Sequence, residues 1–247
     1  MSGLWIDQIG VEVECGIDDR TTPTERAIPY FNSVHDGSLR TEKPHAKRIE
    51  YVSEPLSYPD GQNRLEGSLN QLYEIISEIN ASMGLHIHVS LNNDRDYYRL
   101  ASLKFHNWFI DRLKDSDLWD TCPRLRKRVR NEDLHPFDPD STYGYYCRPL
   151  ENSWMIDSQL KSRRQKYRRI TFMKGKYDTI EFRLFPAMQS AEDVMNAVNI
   201  VTTSINSYLR QGLYNDTLEA ELTAESIQNS SETSYNSTIQ EQVNYNV

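Results

Sequence analysis

Ile9-Gly10-Val11-Glu12-Val13-Glu14-Cys15 sets apolar residues on its odd positions and, from Glu12 on, carboxylates between them. The same two-residue period returns in Gly84-Leu85-His86-Ile87-His88-Val89-Ser90 and in Thr179-Ile180-Glu181-Phe182-Arg183-Leu184. Strict alternation is the pattern of a strand that buries one face, because successive side chains point to opposite sides of the backbone. The other face then carries Glu12 and Glu14 in the first segment, His86, His88 and Ser90 in the second, and Glu181 and Arg183 in the third. If the three strands share a sheet, its open face is a bed of carboxylates, imidazoles and a guanidinium. That is the inventory of a metal and phosphate site.

Outward from these segments, Arg48-Ile49-Glu50-Tyr51-Val52-Ser53 reads as a further strand closed by Glu54-Pro55. Leu65, Leu69, Leu72, Ile75, Ile76 and Ile79 form a helical stripe expected to run almost to Met83-Gly84, directly before the histidine strand. Tyr97 to Leu113 is expected to be one helix with Phe105, Trp108, Phe109 and Leu113 on its apolar face. Tyr167 to Met173 reads as a strand that turns through Lys174 to Asp178 into the Glu181 strand. A last helix starts at Ser190, with Asp193 in a variant of the capping box, and carries Val194, Val198, Val201, Ile205 and Leu209. The stretches Asp115–Tyr146 and Trp154–Lys166 have no period that decides between helix and strand.

The chain has 247 residues, 38% of them hydrophobic and 26% charged, enough for a substantial core. No apolar run reaches the roughly 18 residues a membrane span needs. The N-terminus lacks the layout of a signal peptide, so a cytoplasmic protein is expected (the host cytoplasm if phage-encoded). Cys15, Cys122 and Cys147 are odd in number and widely spaced, which argues for reduced thiols rather than a disulfide framework or zinc knot. Of the net charge of −8, six acids fall between Asp216 and Val247, where there is no Lys or Arg. The body is thus near neutral, and nucleic acid is not an expected partner. Residues 1–215 are expected to form the catalytic domain. Residues 216–247, acidic and polar, are expected to be a disordered tail. A short amphipathic helix at Leu218–Leu222 that docks on a protein partner is the alternative.

Each pair of polar residues has a plain explanation when taken alone. Glu12 and Glu14 project the same way about 6.5–7 Å apart. They are either a solvated strand face or carboxylates arranged for a divalent cation such as Mg²⁺. His86 and His88 repeat that geometry with imidazoles. Glu181 and Arg183 are either a weak ion pair or an arginine set to grip phosphate oxygens beside a metal. Two basic stretches, Arg124–Arg130 with five cations in seven residues and Lys161–Arg169 with six in nine, are solvated faces or anion-binding surfaces.

Read in order, Gly10–Glu14, Gly84–Leu91 and Ile180–Pro186 resemble the signature strands of the glutamine synthetase and carboxylate-amine ligase superfamily. The amidoligase branch is the nearest likeness, over about Gly10 to Leu209. The resemblance implies an α+β, glutamine synthetase-like catalytic domain: a curved, mainly antiparallel sheet, helices on one face, and an open concave active-site face. It implies ATP and two or three Mg²⁺ ions, with Mn²⁺ as an alternative, and a carboxylate substrate (amino acid, peptide or protein side chain) joined to an amine. Carried over by motif, Glu12 and Glu14 would ligate separate metals, and His86 would join Glu12 and Glu181 at one ion. His88 and Ser90 would face the nucleotide, and Arg183 would hold the γ-phosphate. Glu50 is expected as a further metal ligand and catalytic acid, with Glu54 in reserve. The larger synthetases have an arginine where this chain has Thr179, so Arg168 or Arg169 is expected to supply that charge. They also complete their site with an N-terminal domain across a subunit interface. Only nine residues precede Gly10 here, so no such shared site is assumed.

Three functions follow. The first is an ATP-dependent carboxylate-amine ligase working through an acyl phosphate. The second is another metal-dependent phosphotransferase or hydrolase on the same sheet. The third is a non-catalytic descendant that binds nucleotide or a partner.

Overall fold

The computed structural model describes residues 5–18, 20, 27–130, 147–162, 167–173 and 178–212. The tail expected at 216–247 and the turn at 174–177 lie outside them. The strands are β1 (Ile6–Asp18), β2 (Phe31–His35), β3 (Ala46–Ser53), β4 (Leu56–Ser57), β5 (Gly84–Leu91), β6 (Ile170–Met173) and β7 (Thr179–Pro186). They form one open antiparallel sheet in the order β2-β3-β1-β5-β7-β6, with β4 also paired to β1. The three alternating segments are therefore its central strands, side by side.

The alternation does what its period requires. Val11, Val13, Leu85, Ile87, Val89, Ile180 and Phe182 are essentially without exposure and form one apolar face. The helices α1 (Gln62–Tyr73), α2 (Asp94–Leu100), α3 (Leu103–Lys114), α4 (Asp117–Thr121), α5 (Pro123–Arg130), α6 (Ser153–Ser162) and α7 (Ala191–Gln211) complete the described elements. Phe109 of α3 lies 4.9 Å from the Phe182 ring, and Phe105 meets Tyr208 of α7 edge-on at 5.1 Å. Removing a ring such as Phe182 would cost about 3–5 kcal/mol. The helix α7 begins where its cap predicts: Ser190 Oγ accepts the Asp193 N–H at 3.1 Å. It ends on Gly212 at φ 61°, a left-handed stop that glycine adopts without strain. Among the described residues no helix is long and apolar enough to cross a membrane.

Two helices depart from their expected lengths. The stripe expected to continue through Ile79 leaves the helix after Tyr73. The chain instead bonds β1, with Gly16 N–H donating to Glu78 O at 2.9 Å and Ser77 N–H to Gly16 O at 2.9 Å. Ile75 is still buried, so the core term survives while the backbone finds tertiary partners. The helix expected over Tyr97–Leu113 is two, divided at Ala101-Ser102, because Ser102 Oγ caps the second by accepting the Phe105 N–H at 3.1 Å. The strand expected from Tyr167 begins at Ile170. β2 and β4 carry no alternation and are elements the pattern does not announce.

Candidate active site

The register decides which polar residues meet. Glu12 pairs with His86 across β1 and β5, His88 with Glu181 across β5 and β7, and Glu14 with Glu50 across β1 and β3. A bulge between Leu85 and Ile87 leaves an extra residue on β7, next to Arg183. The sheet face opposite the core thus gathers side chains from four strands. They line a cavity of about 390 Å³ that includes Glu12, Glu14, Glu50, His86 and Arg183.

Distances within the cluster are short. His86 Nδ1 lies 2.8 Å from Glu12 Oε2 and 3.7 Å from Glu181 Oε1, and its Nε2 is 3.7 Å from Glu14 Oε1. His88 Nε2 is 3.1 Å from Glu12 Oε1 and 3.9 Å from Glu181 Oε1. Arg183 donates to Glu181 Oε1, and its guanidinium sits 5.8 Å from the centre of the Tyr167 ring. Gly84 N–H donates to Glu14 Oε2 at 2.5 Å. A side chain on Gly84 would start 3.2 Å from that oxygen and 3.4 Å from His86 Nε2, so the glycine keeps the cavity floor open.

These neighbours reshape the acid–base chemistry. Burial opposes ionisation of Glu12, but the hydrogen bond with His86 and the adjacent His88 imidazole outweigh it and hold the carboxyl well below its usual range. Burial and then Arg183 oppose a charge on His86, yet Glu12, Glu14 and Glu181 prevail and raise its pKa. Arg183 is likewise disfavoured by burial and then held cationic by Glu181, Glu14 and Glu12. Glu50 goes the other way. Burial and the nearby Glu12 charge push it up to about 7.

Three groups of residues bring ligand atoms within 4.8 Å of one another and could hold a metal ion: Glu12, Glu50 and His86; Glu12, His88 and Glu181; and Glu14, Asp36 and Glu50. Glu12 and Glu50 each belong to two groups. Carboxylate-rich sets with at most one imidazole fit a hard divalent cation such as Mg²⁺ or Mn²⁺. His88 Nε2 supports that fit. It is buried and makes no hydrogen bond, despite lying 3.1 Å from a Glu12 oxygen, and a cation between the two would satisfy it.

The expected residues do not all converge. His86 groups with Glu12 and Glu50, while His88 shares Glu12 and Glu181. Ser90 Oγ accepts the Gln8 N–H at 3.1 Å and lines a second cavity of about 330 Å³ with His88 and Thr179. Glu54 is exposed and belongs to none of the three groups. Arg168 donates to Pro149 O at 2.9 Å, and Arg169 donates to Arg128 O at 3.0 Å and Val129 O at 2.7 Å. Neither is among the residues lining the larger cavity.

Two residues join the site that the pattern does not single out. Asp36 follows β2, a strand without alternation, so no periodic signal points to it. Arg128 belongs to the basic stretch at 124–130, where buried Leu125 and Val129 mark the inner side of α5. It lines the cavity while donating to Phe185 O and to Met83 O, the latter at 3.1 Å. Arg124 and Arg126 also donate to backbone carbonyls, of Asn80 and of Trp119 and Asp120. The stretch is thus more a set of backbone clamps than a solvated face.

A family model described as putative amidoligase enzyme matches residues 7–204, which takes in every strand of the sheet but the first residue of β1. The chain belongs to that amidoligase family, and with it to the ligases. A comparison with curated proteins gives no match.

Proposed function

We propose that this protein is an ATP-dependent carboxylate-amine ligase that works through an acyl phosphate on a glutamine synthetase-like sheet. The observation that carries the reading is the convergence of Glu12, Glu14, Glu50, His86 and Arg183 on one cavity, with Glu181 bonded to Arg183 and grouped with Glu12 and His88, in a chain of the amidoligase family.

In the reaction a substrate carboxylate oxygen attacks the γ-phosphorus of ATP, the bond to the β–γ bridging oxygen breaks, and ADP leaves. Glu12, Glu14, Glu50, His86, His88 and Glu181, with Asp36, would hold Mg²⁺, which supplies positive charge to the phosphate oxygens. Arg183 neutralises charge on the transferring phosphoryl group, a role suited to a guanidinium that its carboxylate neighbours keep protonated. The amine nitrogen then attacks the acyl carbon, the carbon–oxygen bond to phosphate breaks, and the nitrogen proton passes to a base. Ser90 and His88, on the second cavity, face the nucleotide. The partners are a carboxylate-bearing amino acid, peptide or protein and an amine, in the cytoplasm.

The test is ADP release with Mg²⁺, combined with mass spectrometry for a product heavier than the acid by the amine less water. Both signals are expected to vanish in Glu181→Ala and Arg183→Ala. ATP consumption that ends in a stable phosphorylated product, or in hydrolysis alone, would point to a phosphotransferase or hydrolase. Failure to bind ATP in the presence of Mg²⁺ would sink the ligase reading.

A further inference from the structure

The two edges of the sheet are finished differently. At β6 the edge is covered: α6 packs beside it, and the fully buried Gln159 accepts the Phe172 N–H at 3.0 Å. At β2 no described strand pairs with the outer side. Glu54 N–H donates to Tyr30 O and Asp36 N–H to Arg48 O, so the even residues of β2 bond inward to β3. The N–H and C=O groups of Ser33 and His35 therefore point outward. Soluble proteins usually blunt such an edge with lysine, proline or a bulge. Phe31-Asn32-Ser33-Val34-His35 has none of these, and its register with β3 is unbroken.

We propose that this edge binds the substrate as an extended acidic peptide, which adds a strand beside β2 and leads its carboxylate side chain into the cavity. The proposal rests on the ligase reading for the fate of that carboxylate. Three observations favour this occupant. The edge runs directly into Asp36, which lines the cavity with Glu14 and Glu50, so a strand laid along β2 continues into the site. Val34, paired with Glu50 and hence on the site face, is 52% exposed, and nearby Tyr30 is 37% exposed, giving apolar contacts to alternate side chains of the guest. Arg48, exposed and two residues from Glu50 on the site face of β3, sets positive charge beside the entrance, which suits an acidic chain. A strand of five residues, about 17 Å long, is by itself too short to bury the ~800 Å² per partner of a stable dimer, but it fits a peptide.

The test uses the full-length protein and a pool of blocked peptides of about eight residues with Glu or Asp at the centre and random flanks. Added with Mg²⁺ and a non-hydrolysable ATP analogue, the pool is expected to slow hydrogen exchange at the Ser33 and His35 amides. No protection at β2, or protection only elsewhere, would overturn the proposal. Ser33→Pro removes an outward N–H while leaving the inward ladder intact, and an edge strand tolerates it. It is expected to lower kcat/KM for the pool by about tenfold or more while leaving ATP affinity unchanged. Equal use of peptides by Ser33→Pro and the wild type would also overturn the proposal. The exchange measurement on the unaltered protein decides the matter if that variant fails to fold. If ATP binds and free amino acids are ligated while peptides are ignored, this inference falls and the ligase reading stands. If ATP does not bind yet β2 is protected, the reverse holds.

Discussion

The site has an imidazole end and a carboxylate end, and they meet their charges in opposite ways. Around His86 and His88, the acids Glu12 and Glu181 find cationic or hydrogen-bonding neighbours within the protein, and Arg183 completes the balance. Around Glu14, Asp36 and Glu50 the ligand atoms crowd together without an imidazole in the group, and Glu50 is pushed up to about 7. One end is electrostatically settled before any cation arrives, while the other holds a proton in its place. Metal binding should therefore reorganise the carboxylate end most. Glu12 joins the two imidazole-bearing groups, and Glu50, shared with one of them, ties them to the carboxylate end.

The largest effect should come from Glu12, which the two imidazole-bearing groups share. Glu12→Gln removes a charge from two groups at once and should lower ligation by about 10²–10³-fold, the scale of losing one preorganised electrostatic partner. It should also lower the His86 pKa, by removing a carboxylate that raises it, which a histidine NMR titration would read. Loss of activity with an unmoved His86 titration would show that Glu12 does not set the charge of the imidazole end.

Glu50→Gln sharpens the comparison through pH. The folded pKa of Glu50 lies above its ordinary value of 4.5, so the folded state holds the proton more tightly. Its contribution to stability is complete below about pH 4.5 and is lost as pH rises to about 7. Allowing for solvent screening, the loss should be of order 1–2 kcal/mol without metal. Between pH 5 and 7 the wild-type melting temperature should fall relative to that of the glutamine variant, and Mg²⁺ should reduce that difference. Identical pH dependence of the two without metal would remove Glu50 as its source. Glu12, with its lowered pKa, contributes stability that is complete above its ordinary value and lost only in acid, so it does not confuse this window.

A smaller effect is expected from Gly84→Ala, which pushes a methyl group toward Glu14 Oε2 and His86 Nε2 at the junction of the ends. Mg²⁺ titration should show affinity weakened by about tenfold, as for displaced supporting groups around a metal. Asp36→Asn keeps the shape and removes one charge at the rim. It should weaken Mg²⁺ only a few-fold, and a loss as large as that of Glu12→Gln would mean the carboxylate end holds the principal ion.

The three central strands and the last helix were legible because their burial is local and periodic. Val11, Val13, Ile87 and Phe182 alternate with the polar residues of the site, and Ser190 and Gly212 punctuate α7. β2 was not legible, since Asn32, Ser33, Val34 and His35 are all exposed and only hydrogen bonds to β3 make them a strand. The end of α1 at Tyr73 was hidden for the same reason: its apolar stripe continues, and a bond to Gly16 from outside the helix stops it. Asp36 and Arg128 reach the cavity from segments with no period of their own, while Arg168 and Arg169, adjacent in sequence to a site strand, turn to backbone carbonyls instead.

What the order of residues carries without a structure is the polar inventory of each central strand, because a period of two puts Glu12 with Glu14, His86 with His88 and Glu181 with Arg183. Strand order and register are set by hydrogen bonds between segments far apart in the chain. They alone bring Glu12 opposite His86 and Glu14 opposite Glu50, admit Asp36, exclude Glu54, and leave the outer side of β2 without a partner among the described strands. Alternation fixes a side chain's face, and only pairing fixes its neighbour.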